Sequence, residues 1–325
     1  MELIELGNTD RRTTRLGFGC SSLMGATNRR DSLKLLETAY DAGIRHFDVA
    51  PMYGYGHAEG CLGEFLQHHR GQVTFTTKFG IPPAKHSTFL RLGRRIAGPV
   101  IKRLPGLKQR LAHAANAVAQ NDERPSFTAA EAKASLDRSL TVLRTDHIDL
   151  WLLHEATAPE LRDDSLLQFL EAEVKKGTIG SFGVGSSSDK IQALLNERPE
   201  YCRTLQYEWS VLDPQIADAG SPFRIHHRAL IDNFRSIHAA LVRNKPLCQR
   251  WSESTNTDLS SAESLSHLML KASLVMNPSS IILFSSRNPA HIYANVQAAN
   301  DTGLAPPARQ LQALVQAERG QLLLA

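Results

Sequence analysis

Short apolar runs alternate along this chain with stretches whose apolar positions recur every three or four residues. The runs Leu16–Cys20, Ile44–Asp48, Val73–Lys78, Ile148–His154, Ile179–Val184, Thr204–Tyr207 and Ser280–Phe284 predict strands. The stretches Asp31–Ala42, Ala58–His69, Ala129–Leu143, Asp164–Lys176, Lys190–Asn196, Ala262–Met276 and Pro289–Asn300 predict helices. Alternation of this kind is what parallel strands joined by crossover helices produce. Seven strands are visible, and an eighth is expected near Ala229–Phe234, where the pattern is weakest. Asn288 followed by Pro289 reads as a helix N-cap with proline at the first helical position.

The strand count points to the α/β class and to a single (β/α)8 TIM barrel over residues 1–325, a usual length for that fold. A doubly wound sheet in two domains is the rival, but no linker rich in Pro, Gly or Ser divides the chain. One interval is too long for a barrel loop, that between Lys78 and the helix at Ala129, and residues 80–127 are read as an inserted basic loop or lid after the third strand.

Composition changes this picture little. Apolar residues make up 42% and charged residues 22%, which suits a chain with a large core rather than a disordered one. The formal charge of +4 is too small to argue for a nucleic-acid partner. No run of roughly 18 apolar residues predicts a transmembrane span, and the N-terminal segment lacks the apolar core of a signal peptide, so a cytoplasmic location is expected. Cys20, Cys61, Cys202 and Cys248 form no C-x-x-C pair and read as buried thiols. No His and carboxylate cluster has metal-ligand spacing; His68-His69 and His226-His227 are adjacent and would point apart.

Charge distribution says more than the total. From Lys85 to Arg110 the long interval holds Lys85, Arg91, Arg94, Arg95, Lys102, Arg103, Lys108 and Arg110 with no acid among them. This segment reads either as a solvated flap over a site or as a docking surface for something anionic, such as a phosphate-bearing or carrier-bound substrate.

Chemistry is expected at the C-terminal ends of the strands, where barrels of this kind place it. Asp48 ends the second strand, Lys78 the third and His154 the fourth; Gln206 lies in the sixth, and Tyr53 follows Asp48 on the loop PMYGYG. Each has an ordinary explanation alone, as a loop cap, a surface lysine, a core histidine or a packing ring. Together they are candidates for one site, because barrel closure aims strand ends at a common axis.

These residues resemble the aldo-keto reductase family. FDVAPMYGYGHAEGCLGEFL is similar to the family's aspartate and tyrosine segment, TFTTKFG to its lysine strand and LRTDHIDLWLLHE to its histidine strand. The resemblance implies a catalytic set of Asp48, Tyr53, Lys78 and His154, and NADP (with NAD as the alternative) lying over the barrel mouth. Reduction of an aldehyde, ketone or sugar carbonyl, or its reverse, would follow. An adjacent ammonium would lower the phenol's pKa from its usual value near 10, so Lys78 would activate Tyr53 as proton donor. Asp48 would hold Lys78, and His154 would bond the substrate oxygen. For the cofactor, the resemblance implies Ser186 and Gln206 at the carboxamide, and Ser285, Ser286, Arg287 and Asn295 at the phosphates and adenosine. It also implies an aromatic ring under the nicotinamide after the seventh strand, for which Phe234 is the candidate. Gly185-Ser186 stands where the family usually has Ser-Asn, and Ser285 and His291 stand where one branch has lysine and arginine. Two other functions remain beside the enzyme: a cofactor-binding regulatory protein of the same fold with little turnover, and a docking module working through the basic segment.

Overall fold

A computed structural model of the protein describes residues 1–25, 27–83, 126–213, 222–230 and 232–323. The chain opens with an antiparallel pair, β1 (Leu3–Glu5) and β2 (Arg12–Thr14). Eight parallel strands follow: β3 (Leu16–Gly19), β4 (His46–Asp48), β5 (Thr74–Phe79), β6 (Ile148–His154), β7 (Ile179–Gly185), β8 (Thr204–Glu208), β9 (Phe223–His227) and β10 (Ser280–Phe284). They close on themselves, β10 pairing with β3. The closed parallel barrel is the fold that the alternating pattern predicts.

Seven of the helices described fall where the periodicity places them: α1 (Arg29–Asp41), α2 (Ala58–His69), α3 (Ala129–Leu143), α4 (Asp164–Lys176), α5 (Ser188–Glu197), α8 (Ala262–Met276) and α9 (Pro289–Asn300). Side-chain caps set the starts of five of them, all but α2 and α5. Asn28 accepts from the Asp31 amide at 2.9 Å, and Asn288 accepts from Ala290 at 3.0 Å ahead of Pro289. Among the described residues, none of these helices is long and apolar enough to cross a membrane.

The predicted eighth strand is misplaced. Ala229 and Leu230 form a turn and α6 (Asp232–Arg243) begins at Asp232, and the missing strand is β9, a few residues earlier. Its sequence FRIHH carries two histidines and an arginine, so it lacks the apolar run that identifies a buried strand, although His226 is fully buried. Three helices beyond the periodic set, α6, α7 (Lys245–Thr255) and α10 (Ala305–Leu323), pack with α8 around Ile237, Leu241, Trp251, Leu268 and Leu311. That cluster flanks the barrel. A further buried cluster is formed by Leu6, Leu150, Ile225, Ile281 and Leu283. All four cysteines are buried. The basic segment Lys85–Arg110 lies outside the described residues.

Candidate active site

Strand register brings the polar residues to one level. Asp48 pairs with Thr76 across β4 and β5, so Lys78 stands two residues higher on the same face of β5. His154, Gly185 and Gln206 form a row across β6, β7 and β8. Tyr53 reaches the same place from the loop after β4. There Gly54 and Tyr55 both adopt the left-handed conformation, at φ 59° and 57°. A Cβ on Gly54 would come within 2.5 Å of the Leu23 carbonyl oxygen, so only glycine allows the loop to fold under Leu23 and turn Tyr53 inward.

The result is a cleft of about 420 Å³ at the C-terminal ends of the strands, lined by Asp48, Tyr53, Lys78, His154, Ser186, Gln206, Ser285 and Asn295 among others. Lys78 is 2% exposed and donates to both oxygens of Asp48, at 2.7 and 2.9 Å, and to the Val49 carbonyl at 3.1 Å. Its ammonium lies 5.1 Å from the centre of the Tyr53 ring. Burial works against the charge on Lys78, but Asp48 and then Tyr53 outweigh it, and the lysine pKa stands above its ordinary value.

The phenol departs from the expectation that Lys78 would lower its pKa. Burial raises the pKa of Tyr53 more than the attraction of Lys78 lowers it, and Asp48 adds to the rise.

Gln206 donates through Nε2 to Asp48 at 2.9 Å. Its Oε1 is buried and has no hydrogen-bond partner among the described residues, which makes it a ready acceptor for the amide of a nicotinamide ring. Ser186 is buried beside it, its amide donating to the Gln206 carbonyl at 3.0 Å. Ser285 lines the cleft and donates to the Gly19 carbonyl at 2.6 Å. Asn295 reaches the wall from α9. Two of the expected phosphate residues do not line the cleft. The Ser286 hydroxyl is engaged with the backbone of Asn288, and Arg287 is exposed on the turn before α9.

Phe234 is not in the cleft. Its ring stacks on His238 at 5.8 Å, and it packs against the helical cluster around Trp251. The reason is the position of β9: its end presents His227 and Arg228 to the cleft, five or more residues ahead of Phe234. Burial, then Lys78, then Arg228 push the pKa of His227 down to about 4, so the ring is neutral at physiological pH. His226 is turned the other way, edge-on to Tyr207, because side chains alternate along a strand. Sequence reasoning missed His227, Arg228, Glu155 and Ser21 as lining residues. The doublet of histidines followed by arginine was the available signal, and it is legible only once FRIHH is read as a strand.

The Aldo/keto reductase family model matches residues 15–232. The chain belongs to that family, a family of oxidoreductases. It is 30% identical to D-threo-aldose 1-dehydrogenase of a Pseudomonas species over 71% of this chain and 66% of that protein. Identity to the NADH-specific methylglyoxal reductase of Escherichia coli is 27%, covering 66% of this chain and 60% of that one. The matches to the curated relatives thus span less than two thirds of their lengths. Among solved structures, the aldo-keto reductase of Klebsiella pneumoniae in complex with NADPH superposes with a TM-score of 0.63 at 16% identity, over 98% of this chain and 95% of that one.

Proposed function

We propose that the protein reduces a small carbonyl compound to an alcohol, or runs the reverse reaction, with NADPH as the hydride source and Tyr53 as the proton donor. The observation that carries this reading is the buried Asp48–Lys78 pair set beneath the Tyr53 ring in a cleft that His154 also lines. Bound nicotinamide would supply the hydride to the carbonyl carbon. The protein's own residues would do the rest. His154 would donate to the carbonyl oxygen and so orient it. As negative charge grows on that oxygen, Tyr53 would pass its proton to it, and the Lys78 ammonium would stabilise the phenolate left behind. Asp48 keeps Lys78 charged and aimed.

The raised pKa of Tyr53 suits this role. The phenol holds its proton throughout the neutral range, so the acid form needed for reduction is always present. Gln206 and Ser186 would take the carboxamide, and the neutral imidazole of His227 stands at the strand end where a ring could lie against the nicotinamide. Arg228 and Arg287 supply cations for the phosphates. The lysines and arginines between residues 85 and 110 favour an anionic or carrier-borne carbonyl.

The deciding experiment compares wild type and Tyr53→Phe with NADPH and a panel of aldehydes, ketones and sugars. Loss of one positioned proton donor costs on the order of a hundredfold or more in turnover. Cofactor binding should survive. Near-normal turnover by the variant would remove Tyr53 from the mechanism, and a wild type that binds NADPH but turns over no carbonyl would favour a regulatory protein instead.

A further inference from the structure

A second cavity lies at the opposite end of the barrel from the active-site cleft. It measures about 190 Å³, the space of about six waters, and shares none of its lining residues with the cleft. Arg15 and Leu16 at the start of β3, Leu274 and Val275 near the end of α8, and Ala299 and Asn300 at the end of α9 form much of its wall. Chain direction puts it there. Strand β3 rises from this end toward Gly19 in the cleft, and α9, whose Asn295 lines the cleft, runs back down to Asn300.

Two cations share the wall. Lys271 is 7% exposed, and among the described residues its ammonium donates to the Ala299 carbonyl at 2.7 Å, a neutral acceptor. A lysine enclosed to this degree ordinarily has a carboxylate at its side. Burial lowers its pKa, Asp301 opposes the fall and Arg15 adds to it. The Arg15 side chain is 13% exposed; it donates to the Leu274 carbonyl, to the Asn277 carbonyl at 3.1 Å and to Glu2 at 2.7 Å. Its Nε is enclosed and has no acceptor among the described residues.

Glu2 shows what kind of group this wall accepts. It is the acid among the lining residues, and its carboxylate rests on Arg15 Nη1 while remaining 65% exposed. An ion pair with one partner so exposed is weak, and an incoming anion can displace it. Beside the cations the wall is apolar, through Leu16, Leu274 and Val275.

We propose that this cavity is a second ligand site, for a small carboxylate with a short apolar chain. The ligand's carboxylate takes the place of Glu2 on Arg15 and accepts from Lys271, and its chain lies against Leu16, Leu274 and Val275. Glu2 is then a competitor built into the chain. The site stands apart from the carbonyl chemistry of the cleft and does not depend on it.

The test uses butyrate as the probe, with n-butanol and butylammonium as neutral and cationic controls of the same chain length. Binding is measured by calorimetry on the full-length protein at constant ionic strength. Wild type should bind butyrate and neither control. Lys271→Met should weaken binding by about tenfold or more, the worth of a hydrogen bond to a charged group. Glu2→Gln, a change at an exposed side chain, should tighten it by about two- to fivefold. Tyr53→Phe, at the other end of the barrel, should bind as wild type does.

Butyrate bound equally by wild type and Lys271→Met but lost in Tyr53→Phe sits in the active-site cleft, which overturns the proposal. An affinity that Glu2→Gln leaves unchanged or weakens overturns it as well, whatever the fold of Lys271→Met. So does n-butanol binding as tightly as butyrate, or no binding of butyrate by either wild type or Glu2→Gln.

Discussion

Lys78 carries a charge in a place where charges are costly, and every neighbour it has bears on that cost. It is fully enclosed, with both oxygens of Asp48 and one main-chain carbonyl around it. Removing one member of such a pair leaves the other charge stranded, at a cost of about 3–5 kcal/mol. Lys78→Met should therefore lower the melting temperature as well as activity, and Asp48→Asn added to it should restore much of the stability without restoring turnover. Recovery of turnover in the double variant would show that the lysine charge serves folding alone. The pH profile makes a second reading of the same group. With Tyr53 above its ordinary pKa, kcat/KM for reduction should stay level through neutral pH and fall only in the alkaline range, while alcohol oxidation, which needs the phenolate, should rise over that range. Lys78→Met should carry both limbs further upward. A reductive profile that already falls near pH 7 would contradict the raised phenol.

Residues become a site through the elements that carry them, and the turn joining β10 to α9 shows how much an element contributes. Ser285 closes onto Gly19 of β3, which fixes the start of the turn; Asn288 caps α9, whose first amides and dipole form an anion-friendly surface. Arg287 stands between them, exposed and outside the cleft wall, and we propose that it meets an outer phosphate of a bound dinucleotide. A guanidinium can grip a 2′-phosphate by two parallel bonds that a ribose hydroxyl cannot match. NADPH should be preferred over NADH, and Arg287→Ala should reduce the preference by about ten- to a hundredfold, the worth of a charge-assisted contact of ~1.5–3 kcal/mol. The ratio of kcat/KM for the two cofactors decides it, and a ratio unmoved by the substitution would place the phosphate elsewhere, with Arg228 at the end of β9 the nearest alternative. The element scale is also where reading the sequence succeeded least. Helices with one apolar stripe, such as α2, α3 and α4, were legible to the residue. Strand β9 was not, because its polar side chains face a cleft or lie buried among aromatic rings rather than on a plain apolar core.

At the scale of the whole molecule, the barrel encloses three histidines whose pKa is pushed down, His46 and His226 buried and His227 half-buried. Burial leads the downward shift in each: His46 to about 3 with Lys78 as the next cause, His226 to about 3 with Arg224 and His227, and His227 to about 4 with Lys78 and Arg228. An unfolded histidine titrates near 6.5, so below that pH the unfolded chain takes up protons that the folded chain refuses. Stability contributed by these rings is complete above about pH 6.5 and declines toward pH 3–4, by up to ~1.4 kcal/mol per pH unit for each group. Glu59 works in the opposite sense. Burial raises its pKa against the bonds from Thr77 and Ser139, so the folded chain protonates it first and gains slightly in acid. Three groups against one should give a denaturation midpoint that falls steadily from pH 6.5 to pH 4, and His226→Phe, which keeps an aromatic ring against Tyr207, should flatten the slope. A midpoint independent of pH over that interval would mean these rings are solvated in the folded protein.

The amino-acid order by itself determined the barrel and most of its helices, because hydrophobic periodicity and capping residues are local properties that survive into the folded state. It also marked Asp48, Tyr53, Lys78, His154 and Gln206 as a set, since parallel closure brings strand ends together whatever the side chains are. Only the tertiary structure decided which partners those residues meet. That Gln206 spends its NH2 on Asp48, that Ser186 and Lys190 converge on Glu155, that His227 rather than Phe234 faces the cleft, and that burial outweighs Lys78 at the Tyr53 phenol all depend on distances of a few ångströms between segments 25 to 160 residues apart. Hydrogen-bond polarity and desolvation act over those short distances through space, and neither leaves a periodic trace along the chain.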